Sequence, residues 1–222
     1  MDPSSSSFFA ALVSFVASLF VGGYAGAMAR ETFQAVIFDM DGTIIEPLLD
    51  FTAIREELGI APQDGILEAL DAMEPEQARD AHAKLLAHEL SAARSAALMP
   101  GVREVLSAVA GAGLKTALLT RNAREAMETV LDRHGLTFDL AWPREMGPIK
   151  PEPDGILRAC EQLGVGPART ACVGDFHYDI LAANAAGALS VLCVPSGARP
   201  EYADEADRVI VRLDELPHVL GL

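Results

Sequence analysis

A chain of 222 residues, half of them hydrophobic and without a long compositionally simple stretch, suits one catalytic domain or a core carrying a small inserted module. Its 17 basic and 32 acidic residues leave a net charge of −15 and no basic patch or stripe, which argues against nucleic acid as a partner. The acidity also gives no long-range attraction for a phosphate-bearing ligand, so any anion has to be held locally by a metal, a lysine or backbone N–H groups.

Residues 8–28, FFAALVSFVASLFVGGYAGAM, carry no charged side chain. As a helix rising ~1.5 Å per residue this segment would reach about 31 Å, enough to cross a bilayer core. Three readings of residues 1–30 stand side by side. They form a membrane anchor, a signal peptide cleaved near Ala25-Gly26-Ala27, or an upstream extension of a protein whose translation starts at Met28. The leader MDPSSSS lacks the basic side chains of a signal peptide, and the Gly22/Gly26 pair is weak evidence for helix pairing. The protein is accordingly expected in the cytoplasm, with a membrane anchor through residues 8–28 as the variant.

From residue 31 the pattern alternates. QAVIF (34–38) reads as a buried strand, and KTALLT (115–120), TACVG (170–174), LSVLCV (189–194) and 208–211 read likewise. Helices are expected over 102–112, 123–135, 155–163 and 180–186. Near-continuous apolar strands alternating with helices predict an α/β fold, a doubly wound parallel sheet covered on both faces, with ligands at the carboxyl ends of its strands. Residues 46–99 interrupt the alternation with three helical segments, 51–58, 64–73 and 75–98, the last opening on Pro75. The division expected is a core of 31–45 and 100–222 with an α-helical cap, 46–99, inserted after the first strand. His82 and His88 in that insertion are six apart and do not share a helix face, so surface or structural roles are expected of them. Cys160, Cys172 and Cys193 lie in apolar runs outside any metal-binding spacing and read as small buried hydrophobes.

The chemistry-bearing residues sit where strands end. The first strand delivers Asp39-Met40-Asp41-Gly42-Thr43. Two carboxylates two residues apart can share a divalent cation while one attacks and the other moves a proton, and all-oxygen ligands favour Mg²⁺. Gly42 allows a tight turn that exposes backbone N–H groups to a phosphate, with Thr43 beside it. The second strand ends in Thr120-Arg121-Asn122, a hydroxyl and amides suited to phosphate oxygens. Lys150, before Pro151, supplies a lone fixed cation. The strand TACVG leads into Asp175, with Asp179 four residues on in GDFHYD.

In this order and at these strand ends, DMDGT, TRN, KP and GDFHYD resemble the four motifs of the haloacid-dehalogenase-like hydrolases, over residues 34–215. The insertion resembles the small α-helical cap of phosphoglycolate-phosphatase-like members. The resemblance implies that Asp39 is the nucleophile, forming an aspartyl-phosphate, and that Asp41 is the general acid and base, its carbonyl also touching the metal. It implies that Thr120 holds phosphoryl oxygens, that Lys150 offsets the charge of Asp39 and of the transferring group, that Asp175 ligates Mg²⁺, and that Asp179 orients the metal or its waters. The dehalogenating members usually lack the second acid, so Asp41 points to phosphoryl chemistry. Phe176 departs from the family pattern, which often has Ser or Thr there. The expected substrate is a small phosphorylated metabolite, with 2-phosphoglycolate as a candidate and Arg121, Arg124, Phe51 and Arg55 as leaving-group contacts. Two alternatives are a sugar phosphomutase, which would draw on Arg55, Arg79, Lys84 and Arg94, and a non-catalytic membrane-tethered binding module, which intact Asp39 and Asp41 disfavour.

Overall fold

Four consecutive buried residues, Ala35–Phe38, form β1 and place Asp39 at the edge of a six-stranded sheet. The other strands are β2 (Lys115–Leu119), β3 (Leu140–Trp142), β4 (Thr170–Gly174), β5 (Leu189–Cys193) and β6 (Arg208–Ile210). All pairings are parallel, in the order β3-β2-β1-β4-β5-β6, and Ala35 lies opposite both Lys115 and Thr170. The computed structural model describes residues 32–222. The apolar segment 8–28 lies outside them. Among the described residues no helix is long and apolar enough to cross a membrane.

The alternation of side chains along each strand builds two cores. Val36, Phe38, Leu118, Val173 and Val191 pack on one face with Val105, Val109, Met127 and Val130. Those partners come from α4 (Val102–Gly111) and α5 (Arg124–His134), and Leu216 and Leu220 of α8 (Leu216–Leu220) complete the layer. Ile37, Ala117, Leu119 and Cys172 face the other way, onto Ile156, Ala159, Cys160, Ala182 and Ala183 of α6 (Asp154–Leu163) and α7 (His177–Ala186). Each large side chain fully buried this way contributes about 1.5–3 kcal/mol. Because helices cover both faces, the strands carry no polar alternation. Because the strand order reverses between β1 and β4, a crevice opens beyond their carboxyl ends. The three cysteines are free and buried, and burial raises each thiol above its usual pKa.

Three helices follow β1: α1 (Phe51–Leu58), α2 (Ile66–Asp71) and α3 (Pro75–Ser95). Asp50 caps α1, its Oδ1 accepting from the N–H groups of Thr52 and Ala53 at 3.1 and 3.0 Å. Ile54, Ile60, Ile66, Leu67, Leu70, Ala81 and Leu85 form a separate apolar cluster here. The two chain segments leading in and out are tied together. Ile45 and Leu98 form an antiparallel bridge, Glu46 N–H donates to Ala97 O at 2.9 Å, and Met99 N–H to Ile44 O at 3.0 Å. The far half of α3 packs along α5, with His134 bonded to the Ala96 carbonyl at 3.0 Å.

The clearest differences from the sequence reading are two unforeseen elements and two shifted helix ends. β3 was not expected. Its three residues are too short, and mostly too half-buried, for an apolar run to show. α8, only five residues long and with Pro217 in its first turn, was not expected either. The last cap helix stops at Ser95 rather than 98, where Ala96 turns extended to enter the bridge with Ile45. α7 starts at His177 rather than 180, because Asp179 accepts from the Phe176 N–H at 3.1 Å and so opens the helix earlier. His88 pairs with Glu57 at 2.7 Å on the cap surface.

Candidate active site

The carboxyl ends of β1, β2 and β4 bring the expected residues together around one buried ammonium. Lys150, 6% exposed, donates from Nζ to the Asp39 carboxylate, to Asp179 Oδ1 at 2.6 Å and to the Leu119 carbonyl at 3.0 Å. Asp39, Asp175 and Asp179 each offer an oxygen within 4.8 Å of the others. Asp41 stands beside them, its Oδ2 accepting from Asn122 Nδ2 at 2.8 Å, while its Oδ1 is buried without a protein partner. Thr120 is 3% exposed, and its Oγ accepts from the Asn122 N–H at 3.1 Å, which leaves the hydroxyl hydrogen free to donate.

Two glycines make this density possible. At Gly42, φ is +77°, and a Cβ there would overlap the Asp175 carboxylate. A Cβ on Gly174 would overlap the Asp179 carboxyl. Gly42→Ala is therefore expected to lower turnover at least about tenfold, since both backbone strain and the displaced Asp175 oppose the native turn. The checking measurement is kcat alongside a melting curve, and a rate within twofold of wild type would contradict the packing argument.

Part of the sequence reading of this turn changes. The Gly42 N–H donates to Ile45 O at 2.7 Å and the Thr43 N–H to Met40 O at 3.4 Å, so both are used inside the turn rather than presented to a phosphate. The Thr43 hydroxyl is buried without a protein partner. The Asn122 side chain is turned to Asp41. The Arg121 guanidinium is held by Glu68 of α2 at 2.8 and 3.1 Å, bonds the Lys150 carbonyl and lies 4.8 Å above the Tyr178 ring. Arg124 pairs loosely with Glu128 at 3.9 Å and does not line the cavity. Phe176 is 53% exposed and stands edge-on to Tyr178 at 5.2 Å, so a side chain at this position rims the cavity.

Four charges of one sign in a buried site set the electrostatics. Burial foremost, and Asp179, Asp175 and Asp41 with it, hold Asp39 well above the usual carboxylate range against the pull of Lys150. Burial and then Asp179 push Asp175 up to about 7. Burial and then Glu89 push Asp41 up to about 6, opposed by Lys150 and Asn122. Burial alone would lower Lys150, yet Asp179 and Asp39 carry it above its ordinary value. Glu89, a cap residue 3% exposed, was not foreseen. It ion-pairs with Arg144 and accepts from the Ala123 N–H at 3.1 Å, joining α3 to the core beside the acids. In sequence it is one acid among several on a polar helix, and only its burial marks it.

An all-oxygen donor set, a shortage of positive charge and a buried unpartnered Asp41 oxygen fit a hard divalent cation such as Mg²⁺. Both Asp179 oxygens already accept, from Lys150 and from the Phe176 N–H, so Asp39, Asp175 and the unpartnered Asp41 oxygen are the less committed donors for an ion.

The raised carboxyls have a sign-definite consequence. With unfolded-state values near 3.9, Asp41 and Asp175 take up protons on folding between about pH 4 and 7. Metal-free stability from these groups is thus greatest at the acid end and lost as pH rises to about 7. Asp175→Asn, which lacks that penalty, is expected to melt somewhat above wild type at pH 5, where part of the penalty already applies, and several degrees further above it at pH 7.5. Added Mg²⁺ should narrow the gap by stabilising wild type. Scanning calorimetry with chelator at the two pH values checks this, and a gap that shrinks with rising pH would contradict it.

The cavity above the acids has a volume of about 240 Å³ and is walled largely by apolar side chains, including Pro47, Leu49, Phe51, Ile66 and Leu67.

Acids around a buried lysine at the switch point of a parallel sheet suit hydrolytic chemistry, and comparison with known proteins gives the class. The family model for haloacid dehalogenase-like hydrolases matches residues 33–187. The chain belongs to that family. It is similar to a haloacid dehalogenase-like hydrolase domain-containing protein of Arabidopsis thaliana, 30% identical over 76% of this chain and 74% of the relative. It is 30% identical to the N-acetylmuramic acid 6-phosphate phosphatase of Pseudomonas aeruginosa, over 72% of this chain and 81% of that one. It is 38% identical to the phosphoglycolate phosphatase of Thiobacillus denitrificans, over 52% and 53% of the two chains. The fold matches a hydrolase from Pseudomonas syringae with a TM-score of 0.73 at 22% identity, over 85% of this chain and 99% of the other.

Proposed function

We propose that this protein is a Mg²⁺-dependent phosphatase that hydrolyses a small phosphomonoester through an aspartyl-phosphate on Asp39. The carrying observation is the buried Lys150 bridging Asp39 and Asp179 with Asp175 alongside, a nucleophile, a fixed cation and metal-suited oxygens brought together by the ends of β1 and β4, the start of α7 and the loop before α6. The phosphatase names of two similar proteins support the reaction class. Residues 46–99 are taken as the cap and the remainder of the described chain as the core.

A carboxylate oxygen of Asp39 attacks phosphorus, and the bond to the leaving oxygen breaks. That oxygen takes a proton from Asp41, which the site keeps protonated to a useful extent near neutrality and which Asn122 holds in place. Water then gives its proton to Asp41 and attacks phosphorus, so that the bond to Asp39 breaks and phosphate departs. Lys150 offsets the charge on Asp39 and on the transferring group, and the Thr120 hydroxyl donates to a phosphoryl oxygen. Asp39, Asp175 and the Asp41 carbonyl would hold Mg²⁺, with Asp179 orienting it or its waters, and the ion would supply charge neutralisation for a dianionic phosphate among acids. Arg121 and Asn122 act by positioning, one on the loop carrying Lys150 and the other on Asp41.

The test is hydrolysis of an aryl phosphate by the purified full chain. Turnover that stops with chelator and returns with Mg²⁺ is the expected result. Turnover indifferent to chelator, or none from folded protein supplied with Mg²⁺, would overturn the reading.

A further inference from the structure

In the proposed reaction the proton given to the leaving alcohol has a defined place. Asn122 donates from Nδ2 to Asp41 Oδ2 at 2.8 Å, so Oδ2 is engaged as an acceptor. The proton then belongs on Oδ1, which is buried without a protein partner. Which oxygen of Asp41 donates is therefore set by where the Asn122 side chain points.

The peptide joining Asn122 to Ala123 is gripped at both ends. Its carbonyl accepts from the Arg144 N–H at 3.1 Å, and its N–H donates to Glu89 Oε2 at 3.1 Å. The other Glu89 oxygen takes the Arg144 guanidinium, so one ion pair closes the clamp from both sides. Glu89 reaches this peptide from α3, is buried, and lines the same cavity as Asp41. Holding the start of α5 does not by itself call for a buried acid, because Glu145 already accepts from the Arg124 N–H at 3.0 and 3.2 Å. A buried ion pair also adds little net stability over apolar packing of the same volume. What remains for Glu89 to contribute is geometry.

We infer that Glu89 is a positioning residue for proton transfer: through the Ala123 N–H and the Asn122 amide it fixes which oxygen of Asp41 donates to the leaving group. This inference rests on the proposed role of Asp41 and brings into the machinery a residue from outside the strand ends.

The experiment measures kcat/KM of the full chain with Mg²⁺ on dinitrophenyl, nitrophenyl and phenyl phosphate, whose leaving groups are similar in shape and fall in acidity. A weakly acidic phenol needs the proton from Asp41, and dinitrophenol leaves without it. Glu89→Leu combined with Arg144→Met removes the pair without stranding a buried charge. That double variant should lose at least about tenfold more kcat/KM on phenyl than on dinitrophenyl phosphate. Glu89→Gln, whose one carbonyl oxygen can serve only one of the two donors, should show a smaller bias of the same sign. Being isosteric, it decides the matter alone should the double variant not fold. Asp41→Asn sets the full size of the bias, and a role confined to packing would lower all three substrates in proportion. A proportional loss, or none, in the folded Glu89 variants beside a clear bias in Asp41→Asn would overturn the role of Glu89 and leave that of Asp41 standing. No bias in Asp41→Asn would overturn the assignment of Asp41, and this inference with it.

Discussion

Asp39→Asn is expected to lower turnover of any phosphomonoester at least about 10³-fold, some 4 kcal/mol of barrier, while the protein stays folded. The substitution keeps the shape of the side chain and an oxygen facing Lys150, and removes the carboxylate that attacks phosphorus. Lys150 retains Asp179 and the Leu119 carbonyl as partners. Burial and the neighbouring acids oppose ionisation of Asp39, so losing its charge should leave metal-free stability at or above the wild-type level. Steady-state kcat and a melting curve, measured on one preparation, check both halves. A residual rate within tenfold of wild type would mean that another group is the nucleophile.

Lys150→Met should damage both stability and activity. The ammonium is buried between two carboxylates, and removing it leaves Asp39 and Asp179 facing each other without a cation. Breaking a buried pair by deleting one partner typically costs about 3–5 kcal/mol. For a chain of this size that corresponds to a fall in Tm on the order of 10 °C. Turnover should drop at least about 10²-fold, as expected when a fixed charge aimed at the reacting group is lost. Adding Asp179→Asn to Lys150→Met separates the two effects, because it relieves the repulsion without restoring the cation. The double variant should regain part of the lost stability and none of the lost rate. A double variant no more stable than Lys150→Met would show that the ammonium acts through packing rather than charge.

The order of strands and helices was legible because burial on both faces leaves a plain mark, the unbroken apolar run of β1 and β4. β3 left no such mark, being three residues at the sheet edge. The acids and Lys150 could be picked out because charged residues at the ends of apolar strands have no packing role. Their arrangement around the Lys150 ammonium depends on residues 111 positions apart and shows only in the folded chain. The cap contribution was the least visible part. Glu68 and Glu89 sit on helices with many ordinary surface residues, and what singles them out is contact with Arg121 and Arg144. Likewise, nothing in the spacing of Thr120-Arg121-Asn122 indicates that Arg121 reaches toward the cap while Asn122 turns inward to Asp41.

The account turns on phosphorus being carried by Asp39. Wild-type protein should be mixed with a phosphomonoester substrate and Mg²⁺, quenched in acid during turnover, reduced with borohydride and mapped by peptide mass spectrometry. An acyl phosphate at Asp39 would be converted to homoserine at that position, and the account predicts this product in wild type and its absence from Asp39→Asn. Full turnover without reducible phosphoryl at residue 39, or with it on another carboxylate, would contradict it.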